Sequence, residues 1–129
     1  MDTAILVVDL EKNAEDLIKV LDEKGFIFTI ATLTKNQEGE DWRLVLGIPE
    51  IKEKGSRKSL TQINDIIEEN NLKISLYDIV LVDDQDRLFN LLRLQLNTGK
   101  ENSKIPFIGN YINGVRFPDS IVYRVISEG

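Results

Sequence analysis

The chain contains neither histidine nor cysteine, and this double absence limits both what can stabilise its fold and what chemistry it can perform. Histidine is the usual general base near neutral pH and the commonest metal ligand, while cysteine supplies disulfides, thiolate ligands and strong nucleophiles. Disulfides, structural zinc, haem ligation, iron–sulfur clusters and catalysis by Ser-His-Asp or Cys-His groups are therefore excluded. Any catalysis would depend on carboxylates, Lys, Tyr, Ser or Thr, helped by a hard cation such as Mg²⁺.

The composition predicts one soluble globular domain over residues 1–129. The chain is 42% hydrophobic and 29% charged, which is typical of folded rather than disordered proteins. Its net charge of −6 makes nucleic acid and anionic membrane poor partners. The first residues lack the positive charge of a signal peptide, and the longest apolar runs are too short to span a bilayer. We therefore expect a cytoplasmic protein.

The first half of the sequence predicts a helix followed by a β-hairpin. Apolar residues recur at three- and four-residue steps over Asp9–Lys24, which indicates an amphipathic helix. The preceding Ile5–Val8 fits either an extension of this helix or a short buried strand. Phe26–Leu33 and Trp42–Ile48 are rich in β-branched and aromatic residues and predict strands. The polar loop Thr34–Asp41 between them is too short for a helical crossover, so the two strands should be antiparallel.

The middle of the sequence predicts a helix, a buried strand and another helix. Glu50–Lys58 is charged, follows Pro49 and predicts a loop, and Ser59–Asn71 has the apolar spacing of a helix. The continuous apolar run Ile79–Val82 predicts a strand that is buried on both faces. A third, leucine-rich helix should then run to about Asn97.

The end of the sequence predicts only β-structure. Ile105–Ile112, Val115–Phe117 and Ile121–Ile126 have strand character, and Asn113-Gly114 is the favoured dipeptide of a type I′ hairpin turn. The whole chain therefore predicts a single α/β domain. Its elements are an N-terminal helix, a β-hairpin, a helix, a buried strand, a helix and a C-terminal β-hairpin, with a mixed sheet of five to six strands.

An acidic cluster follows the buried strand and has two possible roles. Asp83, Asp84 and Asp86 lie where the carboxyl end of a strand meets the start of a helix, a common position for ligands. Adjacent carboxylates can hold Mg²⁺ together with several waters. The same residues are also typical of a helix N-cap and acidic first turn, which need no ligand. The capping role is the favoured interpretation.

A second group of charged residues resembles a nuclease motif. The triplet Glu50-Ile51-Lys52 follows a strand, and Asp41 lies nine residues earlier. This pattern resembles the metal-binding carboxylates and lysine of the PD-(D/E)XK nucleases. The resemblance implies a Mg²⁺-dependent hydrolase in which Asp41 and Glu50 hold the metal and Lys52 stabilises the attacking water. The triplet also fits a solvated, charge-rich loop beyond Pro49.

Another pattern resembles the receiver domains of response regulators. Ile5-Leu6-Val7-Val8-Asp9 before a helix resembles the first strand of that family, and Leu44-Val45-Leu46-Gly47 resembles the strand that carries its phosphoacceptor. The resemblance implies a parallel sheet. Because Gly47 occupies the phosphoacceptor position, it also implies a pseudo-receiver that cannot be phosphorylated.

The C-terminal hairpin offers a candidate interaction surface. Aromatic residues in proteins are usually part of the core, but Phe107, Tyr111 and Phe117 could line one face of this hairpin. A hairpin at a sheet edge presents unpaired backbone groups, and this segment offers little protection, since Arg116 and Arg124 are its only basic residues and Pro118 falls at a break between strands. We therefore expect the hairpin edge or its aromatic face to form a homodimer contact.

These observations favour a non-catalytic function. The leading hypothesis is an acidic, bacterial-type interaction or regulatory protein that binds a protein partner or a second copy of itself and needs no cofactor. The first alternative is a Mg²⁺-dependent hydrolase or nuclease-like enzyme that uses Asp41, Glu50 and Lys52, or Asp83 and Asp84. The second alternative is the phosphorylation-incompetent pseudo-receiver.

Overall fold

The computed structural model describes residues 3–36, 39 and 41–126, and within these residues the chain forms one small α/β domain. Its helices are α1 (Thr3–Glu23), α2 (Ile51–Lys54), α3 (Arg57–Glu69) and α4 (Arg87–Arg93), with a 3₁₀ turn at Leu76–Asp78. Its strands are β1 (Ile30–Lys35), β2 (Trp42–Ile48), β3 (Ile79–Asp83), β4 (Ile105–Phe107), β5 (Tyr111–Ile112), β6 (Val115–Arg116) and β7 (Ser120–Val125).

The main sheet is mixed and has the strand order β3-β2-β1-β7-β4. All neighbours are antiparallel except β2 and β3, which are parallel because α3 lies in the crossover between them. The strands β5 and β6 form a separate two-stranded ribbon. The predicted α/β fold and the antiparallel pairing of the first two strands are therefore confirmed.

The structure settles the two possible conformations of Ile5–Val8 in favour of helix, because α1 begins at Thr3. The helix packs its apolar face, including Ala14, Leu17 and Leu21, into the core. The chain therefore has no strand before α1 within the described residues, and β1 and β2 are antiparallel. The parallel sheet that the receiver-like pattern implied is wrong.

Two apolar cores cover the two faces of the main sheet. On one face, α1 and α3 pack against side chains such as Leu33, Leu44 and Leu46. On the other face, α4 and the β5–β6 ribbon pack against side chains such as Ile30 and Val122. Alternate residues of each strand point to opposite faces, so the two cores use different residues of the same strands.

Several predicted boundaries differ from the structure. The first strand begins at Ile30, not at Phe26. The predicted loop Glu50–Lys58 contains α2 and the start of α3, because Glu50 has a positive φ of 63° and its carbonyl accepts the amides of Glu53 and Lys54. The helix α4 ends at Arg93, well before Asn97. Residues 37, 38 and 40 of the predicted loop Thr34–Asp41 lie outside the described residues.

The strand β3 is an edge strand, so the prediction that Ile79–Val82 is buried on both faces is wrong. Ile79 is buried, but Val80, Leu81 and Val82 are only half-buried. A continuous apolar run arises in a central parallel strand and also in an edge strand whose faces are partly covered. The local sequence does not distinguish these two positions.

The C-terminal strands also differ from the prediction. The predicted strand Ile105–Ile112 is divided into β4 and β5 by a break in which Gly109 has a φ of 66°. The Asn113-Gly114 turn is confirmed, since both residues have positive φ values of 51° and 78°. The last strand, β7, lies between β1 and β4 and is buried throughout. Of the C-terminal segment that we expected to form an exposed sheet edge, only the three-residue strand β4 lies at the edge of the main sheet.

Gly47 is required by close packing between β1 and β2. A Cβ atom at Gly47 would lie 2.8 Å from the Cβ of Ile30, which is closer than side chains approach one another. We therefore expect Gly47→Ala to lower the free energy of unfolding by about 1–3 kcal/mol, measured by urea denaturation. Gly39→Ala is the control, because among the described residues the atom nearest to a Cβ at Gly39 is the amide nitrogen of Asp41, 4.0 Å away. Equal effects of the two substitutions would contradict the packing explanation.

Candidate functional site

A cleft of about 620 Å³ lies at the carboxyl ends of the parallel strands β2 and β3, where α/β proteins commonly bind ligands. The beginnings of α2, α3 and α4 surround it. Its lining combines apolar side chains with charged and polar residues: Ile51, Lys52, Gly55, Ser56, Leu81, Val82, Asp83, Gln85, Asp86 and Arg87. Two residues of the predicted acidic cluster, Asp83 and Asp86, therefore line the cleft.

The carboxylate of Asp83 binds backbone amides on both of its oxygens. Its Oδ1 accepts the amide of Gln85 at 2.9 Å, and its Oδ2 accepts the amide of Lys52 at 2.9 Å. These two hydrogen bonds, the one from Gln85 foremost, hold the pKa of Asp83 below its usual value. Asp83 thus connects the end of β3 to the first turn of α2.

The carboxylate of Asp84 is buried, with only 3% of the residue exposed. Its Oδ2 accepts the hydroxyl of Thr29 at 2.8 Å, and its Oδ1 accepts the side-chain amide of Gln85 at 3.4 Å. Because a buried polar group without a partner is costly, the Thr29 hydroxyl supports this position of Asp84. The backbone amide of Asp84 also donates to the carbonyl of Ile48 at 3.2 Å.

Asp86 is the N-cap of α4, since its side chain accepts the amide of Leu88 at 3.1 Å. The capping interpretation is therefore correct for Asp86. It is wrong for Asp83 and Asp84, which precede the helix and bind α2 and Thr29 instead. All three acids act as hydrogen-bond acceptors for protein groups, and the part of the chain that the structure describes contains no group of three or more Asp and Glu residues arranged to hold a metal ion.

The nuclease-like residues do not come together. Asp41 immediately precedes β2 and Glu50 follows it, so about eight strand-like residues, roughly 25 Å, separate the two carboxylates. One metal ion cannot bind both. Glu50 forms an ion pair with Lys54 at 2.6 Å, which raises the pKa of Lys54, and the side chain of Lys52 is exposed. The prediction that Asp41, Glu50 and Lys52 form one metal site is therefore wrong.

The aromatic surface predicted on the C-terminal hairpin is also not formed. Phe107 and Phe117 are 8% and 2% exposed and pack edge-to-face in the core, with ring centroids 5.4 Å apart. Tyr111 is 64% exposed. Phe107 and Tyr111 would share a face only in one regular strand over Ile105–Ile112, and the chain breaks at Gly109 between β4 and β5.

The outer side of β3 carries backbone groups that sequence reasoning did not identify. The amide of Asp84 donates to Ile48 of β2, and successive residues of a strand direct their backbone groups to opposite sides. The backbone groups of Val80 and Val82 therefore point toward β2. Those of Ile79, Leu81 and Asp83 point away from the sheet, and we refer to these outward groups as the β3 outer edge.

Two groups of the β3 outer edge already have partners within the chain. The amide of Ile79 donates to the carbonyl of Leu76, and the carbonyl of Asp83 accepts the amide of Asp86 at 3.0 Å. Four outward groups have no partner within the described residues. They are the carbonyl of Ile79, the amide and carbonyl of Leu81, and the amide of Asp83. No strand among the described residues pairs with this side of β3.

On the opposite side of the domain, Tyr123 and Arg124 of β7 bind Glu15 and Asp22 of α1, and we refer to these four residues as the polar seam. The register between β1 and β7 shifts between Ala31 and Thr32, which makes Tyr123 an extra residue of a bulge and brings Tyr123 and Arg124 to the α1 side. The hydroxyl of Tyr123 donates to Glu15 at 3.1 Å. Burial, followed by the charge of Glu15, raises the pKa of Tyr123.

Arg124 completes this seam. The residue is only 6% exposed. Its guanidinium lies over the ring of Phe28 at 4.2 Å and donates to Asp22 at 2.7 Å and to the carbonyl of Lys100 at 2.9 Å. Lys104 forms ion pairs with Glu11 and Glu15. The segment between α4 and β4 is thereby attached to α1, so these charged groups have a structural role. A bulge gives no local sequence signal, and this role was not predicted.

Comparisons with protein-family models, curated proteins and solved structures find no match to this chain. No helix among the described residues is long and apolar enough to cross a membrane.

The hydrogen bonds of Asp83 predict that the cleft does not bind Mg²⁺ or Mn²⁺ through this residue. Each of its oxygens accepts an amide, so a cation bound at either oxygen would lie close to the positive end of an N–H dipole and would disturb the contact between β3 and α2. Calorimetric titration with either cation should therefore show no saturable binding in the micromolar range. Micromolar binding that disappears in Asp83→Asn, but persists in the exposed control Asp65→Asn, would contradict this account.

Proposed function

We propose that the protein is a non-catalytic interaction domain that binds an extended polypeptide segment along the β3 outer edge. The observation that carries this proposal is the row of outward backbone groups at Ile79, Leu81 and Asp83 on an apolar edge strand. Such an edge is a template for another strand, because it offers amides and carbonyls at the spacing of a β-ladder.

A comparison of the two sheet edges supports the choice of β3. The other edge, β4, has three residues, and the central one is Pro106, which has no amide to donate. Proteins commonly protect edges with such short strands, prolines, lysines or bulges. The strand β3 has five residues, Ile-Val-Leu-Val-Asp, without any of these features.

The side chains of β3 also favour a protein partner. Val80, Leu81 and Val82 are half-buried, so an added strand would cover apolar surface on both faces of the sheet. The single charge of the strand, Asp83, is held by two amides of its own chain. An incoming strand therefore meets apolar side chains and unengaged backbone groups.

The structural roles of the acidic residues support a non-catalytic function. Asp83, Asp84 and Asp86 each accept hydrogen bonds that fix β3, α2 or α4 in place. Asp41 and Glu50, which an Mg²⁺-dependent hydrolase would need together, flank opposite ends of β2. A catalytic site needs carboxylates that converge on a substrate, whereas Asp83, Asp84 and Asp86 each bind donor groups of the protein itself.

A synthetic peptide tests strand addition directly. The probe is the acetylated and amidated sequence of residues 78–85, added to ¹⁵N-labelled protein at low protein concentration. We expect saturable shifts of the Leu81 and Asp83 amide signals, with a dissociation constant of roughly 0.1–1 mM because a short edge buries little surface. The control is the same peptide with an N-methyl group on the residue that corresponds to Leu81. Because that methyl group blocks the central hydrogen bond, equal shifts with both peptides, or none with either, would contradict the proposal.

A further inference from the structure

We infer that the segment bound at the β3 outer edge is the β3 strand of a second copy of this chain, paired antiparallel about Leu81. Two five-stranded sheets would then join into one continuous sheet across a two-fold axis. This inference rests on the proposed strand addition and specifies its partner. A two-fold interface needs a surface that is complementary to itself, and the β3 outer edge meets this condition in its hydrogen bonds.

The outward backbone groups match one another when two β3 strands run antiparallel about Leu81. Each Leu81 amide would donate to the carbonyl of Leu81 of the partner subunit, which forms a reciprocal pair. The Asp83 amide would donate to the carbonyl of Ile79 of the partner subunit, and the reverse bond follows by symmetry. Every outward group that lacks a partner inside the chain is used in this register.

The two groups already bonded inside the chain are also matched by this register. The amide of Ile79 would face the carbonyl of Asp83 of the partner subunit, but that amide donates to Leu76 and the carbonyl of Asp83 accepts the amide of Asp86. Because the donor and the acceptor at this position each have a partner within their own chain, neither is left unpaired when they face each other. An unrelated strand with regular backbone would leave its own groups unmet at both positions, which favours a second copy.

The side chains agree with the same register. Val80 would lie opposite Val82 of the partner subunit on one face, and Leu81 would lie opposite its own counterpart on the other. Cross-strand pairs of β-branched and other apolar side chains stabilise β-sheets. Asp83 would lie opposite Ile79 of the partner subunit, so no like charges face each other along the strand.

The size and charge of the interface predict weak association. A five-residue edge is shorter than stable interfaces require, so a dimer should form only at high protein concentration. Each copy carries a net charge of −6, and added salt should therefore strengthen the dimer by screening the repulsion between copies.

The register can be tested by sedimentation equilibrium of the wild type and four variants of the full chain over a wide concentration range. The mass of the wild type should rise from 14.7 kDa toward twice that value. Val80→Lys and Val82→Glu should each weaken the dimer at least tenfold, because each places a charge opposite a valine. The double substitution Val80→Lys/Val82→Glu should restore it, since the antiparallel register brings the introduced lysine of one copy opposite the introduced glutamate of the other.

Val115→Lys is the matched control, because Val115 is a partly exposed valine on the β5–β6 ribbon, away from the edge. It should leave the dimer unchanged, and urea denaturation of each variant separates lost association from lost folding. A double variant no tighter than the single variants would overturn the register, and an equal effect of Val115→Lys would overturn the interface.

The outcomes also distinguish this inference from the function on which it rests. A wild type that stays monomeric at every concentration, including at high salt, would overturn the second copy as partner. If the peptide of residues 78–85 still shifted the Leu81 amide, strand addition would stand with another polypeptide. If the peptide also caused no shift of the Leu81 amide signal, the proposed function would be contradicted as well.

Discussion

The buried hydrogen bond between Thr29 and Asp84 determines how β3 joins the sheet. Thr29 immediately precedes β1 and Asp84 immediately follows β3, so this bond connects the two strands past the end of β2. A carboxylate that is 3% exposed requires a donor at this point, and the hydroxyl supplies it. The amide of Asp84 is thereby held against Ile48, and this contact sets which backbone groups of β3 face the sheet and which face outward.

Several polar side chains among the described residues connect one element to another. Asp83 holds the start of α2 and Asp86 caps α4. On the other side of the domain, Tyr123 and Arg124 bind Glu15 and Asp22 of α1, and a bulge in β7 makes both contacts possible at once. The side chains in these interactions are ones that the sequence alone offers as candidates for catalysis or for protecting a sheet edge. The outward backbone groups of β3 have no such partners within the described residues, which is why the proposed function depends on the β3 outer edge.

The local elements could be predicted from the sequence because their signals are local. The strand Trp42–Ile48 was predicted with its observed bounds, and Asn113-Gly114 forms the expected turn because two successive positive φ values favour this dipeptide. The apolar face of α1 also followed from its spacing. The shortness of the polar loop before Trp42 was enough to predict an antiparallel hairpin, and with it the mixed sheet.

The strand order could not be predicted, because it depends on pairing between distant segments. The strand β7 pairs with β1, so that Thr34 lies beside Ser120, and this places β7 inside the sheet between β1 and β4. The apolar run at β3 was predicted to be buried on both faces but lies at an edge. Of the C-terminal strands that were predicted at an edge, β7 lies inside the sheet and only the three-residue β4 is at the edge. The predicted interaction surface on the C-terminal hairpin was wrong for the same reason. Phe107 and Phe117 are core residues in the structure, and the β3 outer edge was not predicted.

Hydrogen exchange of single amides, measured at a protein concentration low enough to keep the chain monomeric, tests the account at its centre. The amides of Val80 and Val82 point toward β2 and should exchange slowly, while the Leu81 amide between them should exchange nearly as fast as in an unfolded chain. This alternation is the signature of a strand held on one side only. Slow exchange of Leu81 at the lowest concentration would show that the chain itself covers the edge, and would contradict the account.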